Sequence, residues 1–118
     1  MPRDAGLYVE DMLEAVRRIQ RYTHDTDEVS FRADPRSIDA VVHNLQVLGE
    51  AAKGVPSHIR DLAPEIDWRK IAGMRDFLVH SYFRVDLTIV WDAVTTKVPL
   101  LESPLGRLLA TLDGEVSP

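Results

Sequence analysis

Apolar residues recur along this chain at helical spacing, and no segment alternates as a strand would require. The first stripe is Tyr8, Val9, Met12, Leu13, Val16 and Ile19, in a helix that Asp4 caps and that runs to about residue 22. A polar loop with three acids is expected over residues 23–33. Asp34-Pro35 then supplies a cap and a proline at the first helical position, opening a second helix with the stripe Ile38, Val41, Val42, Leu45, Leu48 and Ala52. Gly49 lies inside that helix, where glycine costs about 1 kcal/mol against alanine; it either permits close helix packing or is neutral.

Gly54-Val55-Pro56 stops the second helix, and a short helical turn is expected over 57–62. Asp67 caps a third helix from 68 to about 83, with Ile71, Met74, Leu78 and Phe77 directed at the core. Asp86 caps a fourth, where Val85 and Val90 are spaced as a hydrophobic staple and Leu87, Ile89, Val90, Trp91 and Val94 supply apolar contacts. Pro99 should kink or end it. Ser103-Pro104 opens a last short helix to about 112, and the tail 113–118 is expected to fray. The fold class expected is all-α: one domain, 1–118 with its core at about 5–112, built as an antiparallel four-helix bundle with short additional helices.

A length of 118 residues suits one such domain. The formal net charge of −5 argues against a protein that coats nucleic acid by bulk electrostatics, but leaves room for a small basic pocket. Arg17, Arg18 and Arg21 read as solvated cations near the negative end of the first helix. With no cysteine, disulfides and cysteine metal sites are excluded, and no compact His/carboxylate cluster suggests another metal site or a cofactor. No apolar run is long enough to span a bilayer and no signal-peptide core is visible, so a soluble cytoplasmic protein is expected.

Residues 75–82 read Arg-Asp-Phe-Leu-Val-His-Ser-Tyr. They place a permanent cation, a group that titrates near neutral pH and a phenol within about two helical turns. On a helical wheel Arg75 and Tyr82 lie about 20° apart, while His80 is about 140° from Arg75. A single helix therefore does not align all three, and a second chain bringing its own Arg75 and His80 to a shared groove would complete the set. The chemistry such parts suit is phosphodiester cleavage. A base takes the proton of a ribose 2′-OH, the oxygen attacks phosphorus, and an acid protonates the leaving 5′ oxygen. A guanidinium stabilises the charge gathering on the phosphorane. His80 is the candidate acid or base and Arg75 the candidate charge stabiliser. The same residues also fit a structural account: Asp76 and His80 form an i,i+4 surface pair, and Arg75 bridges Glu50 or another acid.

Longer strings add to this spacing. Residues 44–53, Asn-Leu-Gln-Val-Leu-Gly-Glu-Ala-Ala-Lys, resemble the second-helix signature of HepT-like proteins, a branch of the HEPN superfamily. Residues 68–83, Trp-Arg-Lys-Ile-Ala-Gly-Met-Arg-Asp-Phe-Leu-Val-His-Ser-Tyr-Phe, look like that family's active-site helix. Val85-Asp86-Leu87 and Ile89-Val90-Trp91 continue the likeness, which covers about residues 5–102. Several linked strings in order are more specific than one short motif.

The resemblance implies a dimerising helical bundle of the HEPN type and a metal-independent ribonuclease, acting on RNA as the toxin of a toxin–antitoxin pair. Its R-x4-6-H motif maps to Arg75 and His80, and the site-shaping polar residue after the arginine to Asp76. The implied partner is a minimal nucleotidyltransferase antitoxin, which uses ATP to add AMP at the position of Tyr82; negative phosphate there would repel an RNA phosphate. Arg84 departs from the glycine common at that position and is read either as an added phosphate contact or, in preference, as an exposed loop residue. Two alternatives stay open: a non-catalytic helical substrate of a nucleotidyltransferase, and a structural dimerisation bundle. Asn44 and Glu50, off the stripe of the second helix, are expected either to brace Arg75 or to face solvent. His43, His24 and His58 read as surface residues.

Overall fold

The computed structural model describes residues 4–80 and 85–116. Among these there is no strand. The elements are α1 (Ala5–Thr23), α2 (Glu28–Arg32), α3 (Pro35–Gly54), α4 (Ser57–Arg60), α5 (Trp68–His80), α6 (Leu87–Asp92) and α7 (Glu102–Val116). A π turn, Ala93–Lys97, and a 3-10 turn, Val98–Leu100, continue α6 without a break.

Aspartates begin most of these helices. Asp4 accepts from the Gly6 amide at 2.7 Å, Asp27 from Ser30 at 2.8 Å, Asp34 from Arg36 at 3.2 Å, Asp67 from Lys70 at 3.1 Å and Asp86 from Thr88 at 2.9 Å. Each satisfies an amide that the first helical turn leaves without a partner, which is typically worth about 1 kcal/mol. Hydrogen bonds from Ser30 hold the Asp27 carboxyl below its usual pKa, and the Ser37 hydroxyl does the same for Asp34.

The core sits where α1 packs on α3, with α5 on the other side of α3 and α7 against α1. Val9, Met12, Val16 and Ile19 of α1 meet Val41, Leu45 and Leu48 of α3, all essentially fully buried, and Leu105 of α7 joins them. The stripes expected on α1 and α3 are thus the buried ones, with Tyr8, Ile38 and Val42 at their margins.

Several expectations change. The stretch 23–33 is not all loop: α2 forms within it and buries Phe31 completely against Trp91, ring centroids 5.2 Å apart. Phe77, expected at the core, is 40% exposed, and Ile89, expected among the apolar contacts of its helix, is 45% exposed. The inward faces run through Ile71 and Leu78 on α5 and through Val90, Val94 and Val98 after Asp86. Phe77 and Ile89 are each one residue, about 100°, off those lines. Pro99 lies in the 3-10 turn that ends its helical run. The last helix starts at Glu102 and reaches Val116, past the expected end at 112.

Candidate active site

Gly49 of α3 faces the backbone of Arg75 on α5. A Cβ built on Gly49 would lie 2.2 Å from the Arg75 Cβ and 2.9 Å from the Ile71 carbonyl oxygen. Of the two roles the sequence allowed this glycine, close packing is the one observed.

That contact brings two charged pairs together. Glu50 and Lys53 are i,i+3 on α3, and Arg75 and Asp76 are consecutive on α5. The Arg75 Nε forms an ion pair with Glu50 Oε2 at 2.7 Å, and its Nη1 donates to Asp76 Oδ1 at 3.1 Å; Lys53 Nζ also reaches Asp76 Oδ1, at 2.5 Å. The result is an unbroken chain, Glu50–Arg75–Asp76–Lys53, of two acids and two bases. The Arg75 side chain is 27% exposed, so the guanidinium is oriented by its partners yet open to an incoming group. The hydrogen bond from Lys53, and then that from Arg75, hold the Asp76 carboxyl below its usual pKa.

Arg75 borders an open groove of about 540 Å³ whose other walls include Tyr8, His43, Gln46, Glu50 and Lys53. Gly54 seats the Tyr8 ring at the end of α3; a Cβ there would lie 2.5 Å from it. His43 is exposed, as expected, and lies on this groove.

The expected site residues divide. Arg75, Asp76 and Glu50 are brought together. Asn44 is buried, 4% exposed, and its amide Nδ2 donates to the Ala40 carbonyl of its own helix at 2.8 Å, so it is not the solvent-facing residue that was one of its two expected states. His80 is the last described residue of α5, and its side chain, like the whole of Tyr82 and Arg84, lies outside the described residues. Lys53 was not singled out beforehand. Its place one helical turn after Glu50, on the same face, was the available signal.

Residues 12–108 match the model of the family described as Ribonuclease HepT-like. A Thermococcus cleftensis protein named "Probable ribonuclease HepT" is 37% identical over 108 residues, covering 92% of this chain and 98% of its own. Two proteins of Methanocaldococcus jannaschii are similarly related. One, named as a gamma-glutamylcyclotransferase and putative RNase, is 34% identical over 96% of this chain, which spans 51% of that protein. The other, named "Putative RNase", is 33% identical over 98% of this chain and 96% of its own. No solved structure matches this chain significantly.

Proposed function

The chain belongs to the HepT-like ribonuclease family, and on that premise we propose that it is a ribonuclease whose cleavage is carried by Arg75 and His80. The observation that supports this most directly is the setting of Arg75. Two carboxylates orient a partly exposed guanidinium at the edge of an open groove, where its remaining donors suit a phosphate.

The reaction proposed is transesterification of RNA. A base removes the proton from a ribose 2′-OH as that oxygen bonds to the adjacent phosphorus. The bond from phosphorus to the 5′ oxygen breaks, and an acid protonates the departing oxygen. The products are a 2′,3′-cyclic phosphate and a free 5′-OH. Arg75 would stabilise the charge on the phosphorane, and Asp76 would shape the site by holding Arg75 and Lys53. One imidazole cannot be base and acid on opposite sides of phosphorus at once. A homodimer of HEPN-type bundles, with one His80 from each chain, supplies both groups, and this is the assembly proposed.

Arg75→Ala and His80→Ala test the assignment. Each should lower cleavage of single-stranded RNA by about 10²-fold or more while leaving the helical circular dichroism intact. A folded variant that cuts as fast as the wild type would refute it. Activity should also fall on dilution in step with loss of dimer.

The toxin–antitoxin role, in the cytoplasm, completes the proposal. Among the described residues no helix is long and apolar enough to cross a membrane. Tyr82, two residues beyond His80, is the proposed acceptor of AMP from a nucleotidyltransferase antitoxin using ATP. Incubation with such an enzyme should add one AMP mass to the wild type and none to Tyr82→Phe. Label persisting in that variant would move the acceptor elsewhere.

A further inference from the structure

Twelve of the fourteen lysines and arginines fall among the described residues, and most of them are neutralised locally. Arg17 pairs with Glu102, Arg18 with Glu14, Arg32 with Glu28, Arg107 with Glu65, and Lys70 and Lys97 with Asp67 and Asp92. Arg75 and Lys53 belong to the four-charge chain. Arg21, Arg36, Arg60 and Arg69 remain without a carboxylate at ion-pair distance among the described residues. Of these, Arg60 and Arg69 line one groove, an open cleft of about 600 Å³ between the end of α4 and the start of α5, with Ser57, Asp61, Ile66 and Trp68.

Arg60 carries a second mark. Its Nε is shielded from solvent and has no hydrogen-bond partner, alone among the buried side-chain nitrogens and oxygens of the described residues. An unpartnered buried donor is costly, the more so when charged, and a guanidinium has no deprotonated state to retreat to. Packing thus holds Arg60 at this groove with its charge uncompensated. Arg69 adds an exposed cation across from it.

We propose that Arg60 and Arg69 form a phosphate-binding subsite that holds the RNA backbone away from the cleaved bond, an inference that rests on the ribonuclease function above. Arg69 precedes Arg75 by six residues, about 9 Å along α5 and about a third of a turn around it. At roughly 3.4 Å per stacked nucleotide, a strand bound at both places spans about three nucleotides. A chain with a net charge of −5 needs such uncompensated cations to keep a polyanion on its surface. Asp61, the one carboxylate lining the groove, limits the affinity.

The test is equilibrium binding of fluorescent single-stranded RNA to His80→Ala protein across a salt series. Adding Arg60→Ala with Arg69→Ala should weaken binding about tenfold and reduce the slope of log K against log salt by about 0.7–1.4, one or two phosphate contacts. Arg69→Glu, a surface change that leaves packing untouched, should weaken it as much, and Asp61→Asn should tighten it. Unchanged affinity and slope in Arg69→Glu would overturn the subsite. Inorganic phosphate and ATP are the competing probes. If they bind through these arginines while RNA binding ignores the substitutions, the groove serves a small phosphate ligand and the RNA assignment is overturned. Cleavage by the wild type decides the ribonuclease function separately, because binding here is read on protein that does not cut.

Discussion

The Gly49 backbone packs directly on the Cβ and Cα of Arg75, with no room for even a methyl group between α3 and α5. Gly49→Ala must therefore push α5 outward and take Arg75 with it. Overpacking of this kind costs about 1–3 kcal/mol, against a helix-propensity gain of about 1 kcal/mol. A lower melting temperature and reduced cleavage are both expected. Gly73, in the same helix as Arg75, has nothing within 4 Å of where a Cβ would sit, so Gly73→Ala should raise stability by up to about 1 kcal/mol. Thermal unfolding of the pair checks this; equal melting temperatures would remove the close-packing account.

Glu50 orients Arg75 through an ion pair with its Nε. Glu50→Ala should lower kcat on RNA about tenfold, the loss expected when the charged partner that positions Arg75 is removed. Glu50→Gln keeps an acceptor at that position and should restore most of the rate. Asn44→Ala, which removes only a bond to the Ala40 carbonyl, should lower stability and leave kcat and KM alone. If Glu50→Ala turns over like the wild type, Glu50 does not position Arg75.

Asp27, Asp34 and Asp76 all have carboxyl groups held below the usual value near 3.8. A depressed folded-state pKa means that the unfolded chain binds the proton more readily. The stabilisation is therefore complete above about pH 4 and is lost as pH falls through the lower folded-state values. From pH 8 to 5 these groups should leave stability flat. Asp34→Asn keeps a capping side chain but removes the titration, so its stability should fall less steeply below pH 4 than that of the wild type. Chemical denaturation followed by circular dichroism at each pH measures this, and parallel curves would refute it.

Phe31 is fully buried from a five-residue helix and lies against Trp91. Phe31→Ala should cost about 3–5 kcal/mol, a large part of the stability of a domain this size. Denaturant unfolding gives the value, and a loss below about 1 kcal/mol would mean that α2 is a passive flap.

Much of this was legible in the sequence because caps and stripes are local signals. Asp4, Asp34, Asp67 and Asp86 mark their helices in advance, and the α1 and α3 stripes are the buried ones. What escaped depended on distant partners. Phe31 looks like one apolar residue in a polar loop until Trp91, sixty residues later, supplies its contact. Phe77 and Ile89 are apolar and adjacent to buried positions, and only the packing of α5 and α6 tells which neighbour turns inward. At the site, the string 75–80 pointed to Arg75, and Glu50 was anticipated as its partner. Lys53 was not, because its role depends on Asp76 of another helix standing opposite.

The aspartate caps bear on how such a chain can change. Of nineteen acidic residues, Asp4, Asp27, Asp34, Asp67 and Asp86 are tied to helix starts. Part of the acidity is therefore architectural. A lineage selecting for a firmer grip on RNA cannot simply shed these charges, since each loss loosens the first turn of a helix. Gains in affinity have to come from cations added at positions that cap nothing, and the evolvable surface of the molecule is the remainder after its helix starts are subtracted.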